Sequence, residues 1–285
     1  MEPASQDNKP STPVIIGRYR VVRLLGQGKL GAVYLVRDDQ QGRLVSLKTI
    51  SPKTELHATE WRRFGRAVQA ACQFHHESSA QVYEYFTEDN QPYIALEFIE
   101  GQFLDGILRH GTLPQERVVP LALQLASVIR SGHSVNIEHR GLEPRKIVIQ
   151  RTNLVKILDF GLDGRLPRAI GDLGDCAYDV QYLSPEQARG ERLDYRTDFF
   201  SLGTLLYEMV TRKNPFTDIN QHKTLANIQH KHHEPLAQSF PGVHAKLSVL
   251  VDWLLQKDPE RRPEDAQQIE GILRLVAVDM NLEQN

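Results

Sequence analysis

The chain has 285 residues, is 40% hydrophobic and 25% charged, and carries a net charge of -2. That composition is ordinary for a water-soluble protein of one large domain or two packed lobes, and the charge argues against nucleic acid as a partner. The two cysteines, Cys72 and Cys176, stand far apart in no metal spacing; they exclude a disulfide framework and fit a reducing, cytoplasmic setting.

Residues 1–17 are expected to form a disordered leader. Met1 to Pro13 is polar and Pro/Ser-rich and lacks the apolar core of a signal peptide. No run approaches the roughly 18 apolar residues of a membrane span. Three strand-like stretches follow, YRVVRLL, AVYLVRDD and RLVSLKTI, rich in Val, Leu and Tyr between Gly or Asp turns. His57 to Phe74 predicts a helix with Phe64, Val68, Ala71 and Cys72 on one face. Two more strands, QVYEYFTE and YIALEFI, are joined at Asp89 to Pro92. These elements predict a small β-rich lobe over residues 18–98.

After Gly101 the character changes. A helix opens at Leu113-Pro114 and runs to about Gly132, with Pro120 inside it for no reason the sequence supplies. The strands KIVIQ and VKILDF precede a Gly/Asp-rich loop, and helices then dominate. Lys246 to Lys257 is amphipathic through Leu247, Leu250, Val251, Leu254 and Leu255. This second lobe is expected over residues 99–279, with a tail at 280–285.

Gly26, Gly28 and Gly31 have G-x-G-x-x-G spacing. A dinucleotide fold requires a helix after the third glycine, but AVYLV alternates like a strand. A glycine hairpin covering phosphates and an ordinary Gly-rich hairpin both fit. Lys48, on the strand VSLKT, favours the first, since a strand lysine can supply a point charge to phosphates; the alternative is a solvated surface lysine.

Eight motifs fall in order: GQGKLGAV, VSLK, ALEFIEG, HRGLEPRK, LDFG, QYLSPEQARG, DYRTDFFSLG and KDPERRP. With them the chain, over Tyr19 to Ala277, resembles a eukaryotic-type Ser/Thr protein kinase domain, nearest in character to the bacterial members. The resemblance implies an α+β bilobal fold, with a small β-rich lobe carrying one long helix and a larger helical lobe. It implies an adenine site in which Leu25, Val33, Ser46 and Val148 sandwich the ring, Leu96 is the gatekeeper, and the backbone of Glu97 and Ile99 hydrogen-bonds it. Gly26, Gly28, Gly31, Lys48 and Asp159 complete the nucleotide-binding set, with Asp159 the one weak metal candidate. Asp198 would brace the catalytic loop and Glu186 would pair with Arg262.

The sequence departs from the family where chemistry is done. The family's catalytic loop reads H-R-D-L-x-x-x-N; here it is His139-Arg140-Gly141-Leu142-Glu143-Pro144-Arg145-Lys146. Gly141 replaces the aspartate that accepts the substrate proton. Glu143 replaces a lysine that faces the γ-phosphate. Lys146 replaces a metal-binding asparagine, and an ammonium has no lone pair to ligate with. Alignment of RRFGRAVQAA puts Ala67 where a glutamate would pair with Lys48. Between Asp159 and Ser184 there is no Ser or Thr to phosphorylate; Asp172, Asp175 and Asp179 are present instead, and pairing of one of them with Arg140 would hold the segment in one shape.

From these departures the sequence reading expects a pseudokinase. It would bind ATP or ADP with a weakened claim on Mg²⁺, transfer phosphate inefficiently, and serve protein partners as a signalling scaffold, with no membrane segment and a homodimer compatible. Two alternatives stand beside it: an atypical Ser/Thr kinase using Glu143 as a displaced base, and a nucleotide-free scaffold. His230, His232 and His233 do not have the spacing of a usual metal site, and His75-His76 read as a structural cap after the long helix.

Overall fold

Alternating strands build the first of two units into which the chain divides, residues 1–55 with 82–98; the second comprises 56–81 with 99–285. The structure, a computed structural model, describes residues 14–28, 31–50, 58–162 and 179–282. In the first unit β1 (Ile15–Ile16), β2 (Tyr19–Gly28), β3 (Gly31–Asp38), β4 (Arg43–Thr49), β5 (Val82–Glu88) and β6 (Gln91–Glu97) form one antiparallel sheet in the order β1-β2-β3-β4-β6-β5. Five strands are expected from the sequence; the short β1 adds a sixth at the edge.

Side chains alternate across this sheet. One face holds a core of Tyr19, Val36, Val45, Leu47 and Ala95. Phe86 stacks on Tyr19 at 5.8 Å and on Tyr93 at 5.3 Å, and the Tyr19 hydroxyl donates to Glu84 at 2.7 Å. The register pairs Val33 with Lys48 and Lys48 with Ile94, then Leu35 with Ser46 and Ser46 with Leu96. These residues therefore occupy the other face.

The second unit begins with α1 (Ala58–Gln73), which buries Phe64, Val68 and Ala71. It continues through β7 (Gln102–Phe103), α2 (Leu104–His110), α3 (Gln115–Ser134), β8 (Ile147–Ile149) and β9 (Val155–Ile157), where the strands form a small antiparallel sheet. Then come α4 (Pro185–Ala188), α5 (Arg196–Thr211), α6 (Gln221–His230), α7 (Leu236–Ser239), α8 (Ala245–Leu254) and α9 (Ala266–Asp279). Helix α5 is buried nearly all round, and α3, α8 and α9 supply much of the same apolar core.

The sequence places the long helix in a lobe spanning 18–98, whereas α1 groups with the second unit. Two contacts account for this. Phe74, just beyond α1, stacks on Phe160 at 5.0 Å. Downstream, Ala80 N–H donates to the Ile157 carbonyl and Ile157 N–H to that of Ser78, both at 2.8 Å. Pro120 lies on the exposed side of α3. The carbonyl of exposed Glu116, which loses its usual helical donor there, can turn to water.

Candidate active site

In the first unit the structure brings Val33, Ser46, Lys48 and Leu96 to one sheet face, with Leu96 only 6% exposed. Leu25 is more open and sits at an irregularity in the β2–β3 pairing, between Leu24 and Gly26. Glu97 pairs with Val45 and so belongs to the core-face register. The glycines of the motif differ in purpose. A Cβ on Gly31, whose φ is +142°, would overlap the Thr49 carbonyl, while one on Gly26 would meet nothing within 4 Å. Gly31 is therefore demanded by packing, as Thr49 closes on it and accepts from Ala32 N–H at 2.8 Å.

In the second unit the loop 139–146 is built around buried Asp198, at the first turn of α5. Its carboxylate accepts from the backbone N–H groups of His139 at 2.9 Å and Arg140 at 2.6 Å, and lies 2.8 Å from His133 Nε2. Burial alone would raise its pKa, but these hydrogen bonds and the nearby imidazoles hold it below the ordinary aspartate value. Such satisfaction is needed because the loop is strained at Arg140, with φ +61°; Asp159, on the neighbouring segment, has φ +58°. Non-glycine residues in that region cost about 1–3 kcal/mol each and persist where surroundings enforce them.

His139 joins the loop to the segment carrying Asp159. Its Nε2 lies 3.0 Å from the Leu158 carbonyl, and its ring stands edge-on to Phe160 at 5.5 Å. Phe160 rests against Gly132, where a Cβ would overlap the ring. The Leu158 N–H donates to the Lys146 carbonyl at 2.8 Å, so Lys146 and Asp159 enter the same neighbourhood by backbone pairing. Their opposing charges both act on His139. Glu143 is half-buried at the head of a 3-10 turn, Pro144–Lys146, and its charge is felt at Tyr182. Gly141 is half-buried, Val148 lies buried in β8, and Ile99 is half-buried at the start of the unit's second segment. Ala67 is half-buried on α1.

Burial first, and then the Lys146 charge, push the His139 imidazole down to about 4 from 6.5. The folded value lies below the unfolded one, so the unfolded chain binds the extra proton. His139 therefore contributes stability that is complete above about pH 6.5 and is lost as pH falls toward 4, on the order of 3 kcal/mol in all. Urea unfolding across this range should show stability falling with pH, and His139→Gln should flatten the fall by about one proton's worth.

Several participants escape the sequence reading. His133 is one. Gln187 is another: it completes a capping box with Ser184 and donates to the Arg140 carbonyl at 2.7 Å. The Ser-x-x-Gln spacing carries the first role but not the second. Tyr182 donates to Glu208 at 2.6 Å. The Glu186–Arg262 pair is present as a buried fork of 2.7 and 2.8 Å. Arg140 pairs with Glu138 at 2.9 Å. Asp172, Asp175 and the Asp179 side chain, expected as partners of Arg140, lie outside the described residues. His233 lies 2.8 Å from Asp252, and His76 accepts from Ser78 N–H at 3.0 Å.

The chain matches the protein kinase domain model over residues 19–271 and belongs to the protein kinase family. It is 32% identical over 267 residues to a Streptomyces coelicolor protein named probable serine/threonine-protein kinase, covering 89% of this chain and 39% of that one. It is likewise 32% identical over 270 residues to serine/threonine-protein kinase PknB of Mycobacterium tuberculosis, covering 90% and 42%. The chain thus spans about two-fifths of the length of these curated relatives. In fold it resembles the crystal structure of the Mycobacterium tuberculosis PknI kinase domain, with a TM-score of 0.74, 21% identity, and coverage of 93% and 98%.

These relatives correct the reading of the chain as a pseudokinase or an inert scaffold. Proteins matching it along nine-tenths of its length are named as serine/threonine-protein kinases. The substitutions at 141, 143 and 146 stand; the correction is to the inference that they end phosphotransfer. The family binds ATP with Mg²⁺, and among the described residues no helix is long and apolar enough to cross a membrane.

Proposed function

We propose that this chain is an atypical Ser/Thr protein kinase domain that phosphorylates protein substrates, with Glu143 acting in place of the missing loop aspartate. The observation that carries this reading is the frame at Asp198, whose backbone hydrogen bonds hold Arg140 in a strained conformation. Two residues beyond Gly141, Glu143 is the carboxylate that the sequence places in this loop, and a carboxylate is a group that can accept the proton. The substrate hydroxyl oxygen attacks the γ-phosphorus of ATP, its proton passes to Glu143, and the bond to the departing ADP breaks.

The donor set bears on the metal. Asp159 can hold one Mg²⁺ ion, which would supply charge neutralisation when bound. Lys146 cannot hold a second, but its ammonium would bring positive charge to the neighbourhood of Asp159. In the first unit Lys48 would serve a phosphate in the same way.

The test is transfer of radiolabel from γ-labelled ATP to casein, with Mg²⁺ and with a chelator, by the wild type and by Glu143→Gln. Incorporation by the wild type, reduced about 10²-fold or more in a folded Glu143→Gln protein, is the expected result. Equal incorporation by both proteins would remove Glu143 from the role. No incorporation by the wild type under either condition would overturn the kinase reading.

A further inference from the structure

Helix α1 carries a cationic face that the kinase reading does not use. Thr59, Arg62, Arg63 and Arg66 stand at i, i+3, i+4 and i+7, so they share one side of the helix. All four are exposed, while Phe64, Val68 and Ala71 turn into the core. All four side chains border one open concavity of the surface.

Arginines elsewhere in the molecule are commonly spent on carboxylates: Arg20 pairs with Asp39, Arg130 with Glu270, Arg189 with Glu191, Arg196 with Asp194. Among the described residues, none of the three arginines of α1 has an ion pair or hydrogen bond. Like charges three and four residues apart repel and weaken a helix, so folding gains nothing from this arrangement. A ligand that neutralises the charge would.

We propose that this face is a docking site for a phosphorylated Ser or Thr segment of a partner protein. Planar guanidinium forks match phosphate oxygens bidentately, and three of them with a threonine hydroxyl can surround a dianion. An extended polyanion is a poorer match, because the three arginines lie within little more than one turn of one helix and offer no continued track of positive charge. No Ser or Thr lies between Asp159 and Ser184, so that segment of the chain cannot supply such a group. A kinase that recognises phosphorylated protein away from its catalytic loop would be directed to partners already modified.

The experiment is fluorescence anisotropy of the full chain with a short labelled Ala/Gly peptide carrying one phosphothreonine. Its unphosphorylated twin, inorganic phosphate as competitor, an anionic phosphatidylserine vesicle and a single-stranded oligonucleotide complete the set. We expect the phosphopeptide to bind at least tenfold more tightly than its twin, more weakly as salt rises. Binding should fall at least tenfold in Arg62→Ala/Arg66→Ala and recover in part in Arg62→Lys/Arg66→Lys. These positions are exposed, and unchanged thermal unfolding would verify that the variants fold. Equal affinity for both peptides, indifference to the double substitution, or tighter binding of the vesicle or oligonucleotide would overturn the proposal. No readout depends on phosphotransfer, so the proposal and the kinase reading can fail separately.

Discussion

Asp198→Ala is expected to lower the unfolding free energy by about 3–5 kcal/mol and to abolish phosphotransfer. The carboxylate receives two backbone N–H groups and faces His133 in a fully buried setting. Alanine leaves these groups without the acceptor, and each stranded donor costs about 1–3 kcal/mol before relaxation. Relaxation has an obvious route: Arg140 leaves its left-handed conformation and the loop 139–146 loses its shape. Asp198→Asn sharpens the test. It keeps one acceptor oxygen but turns an NH₂ donor toward other donors, so it should recover part of the stability and little activity. Urea unfolding beside radiolabel transfer separates the two effects. Wild-type stability in both variants would mean that the loop is held elsewhere.

Arg262→Ala is expected to cost about 3–5 kcal/mol as well, for a different reason. The guanidinium is wholly buried, forks onto Glu186, and also donates to the carbonyls of Gln256 and Arg196 at 2.8 and 2.9 Å. Its removal strands the Glu186 carboxylate in the interior, with Thr197 at 2.9 Å as a remaining side-chain donor. Burial pushes the Glu186 pKa up, but hydrogen bonds and charge from Arg262 bring it below the ordinary glutamate value. That contribution is therefore whole at neutral pH and is lost as pH falls through the acid range below the ordinary glutamate pKa. Arg262→Met with Glu186→Gln should lose less than the sum of the two single changes, because neither partner is left as a lone buried charge. Chemical unfolding of all four proteins, near pH 7 and near pH 4, gives the coupling and its pH dependence. Additive losses would show that the two residues act independently.

Both predictions concern scaffold residues, and both were legible in the sequence. Asp198 and Glu186 sit in motifs, DYRTDFFSLG and QYLSPEQARG, whose order along the chain specifies the family. Local patterning also carried far: alternation located the strands, and the apolar stripe of α1 located its buried face. Period and turn chemistry are local properties, so a linear reading can recover them.

Other features required the chain to be folded. No sequence pattern says that α1 groups with the second unit, because that follows from Phe74 meeting Phe160 and from residues 78–80 bonding to Ile157. Nor could the sequence say why Gly31 must be glycine while Gly26 meets no such obstacle, since the deciding atom belongs to Thr49 on another strand. His133 and Gln187 join the loop only through contacts made across the fold. That the arginines of α1 have no ion pair among the described residues likewise becomes visible only once the chain is folded. The identities of Gly141, Glu143 and Lys146 were fixed by the sequence, yet their consequence depends on backbone geometry. Composition and period determine which segments fold and what they bury; which distant atoms then meet is decided by tertiary packing.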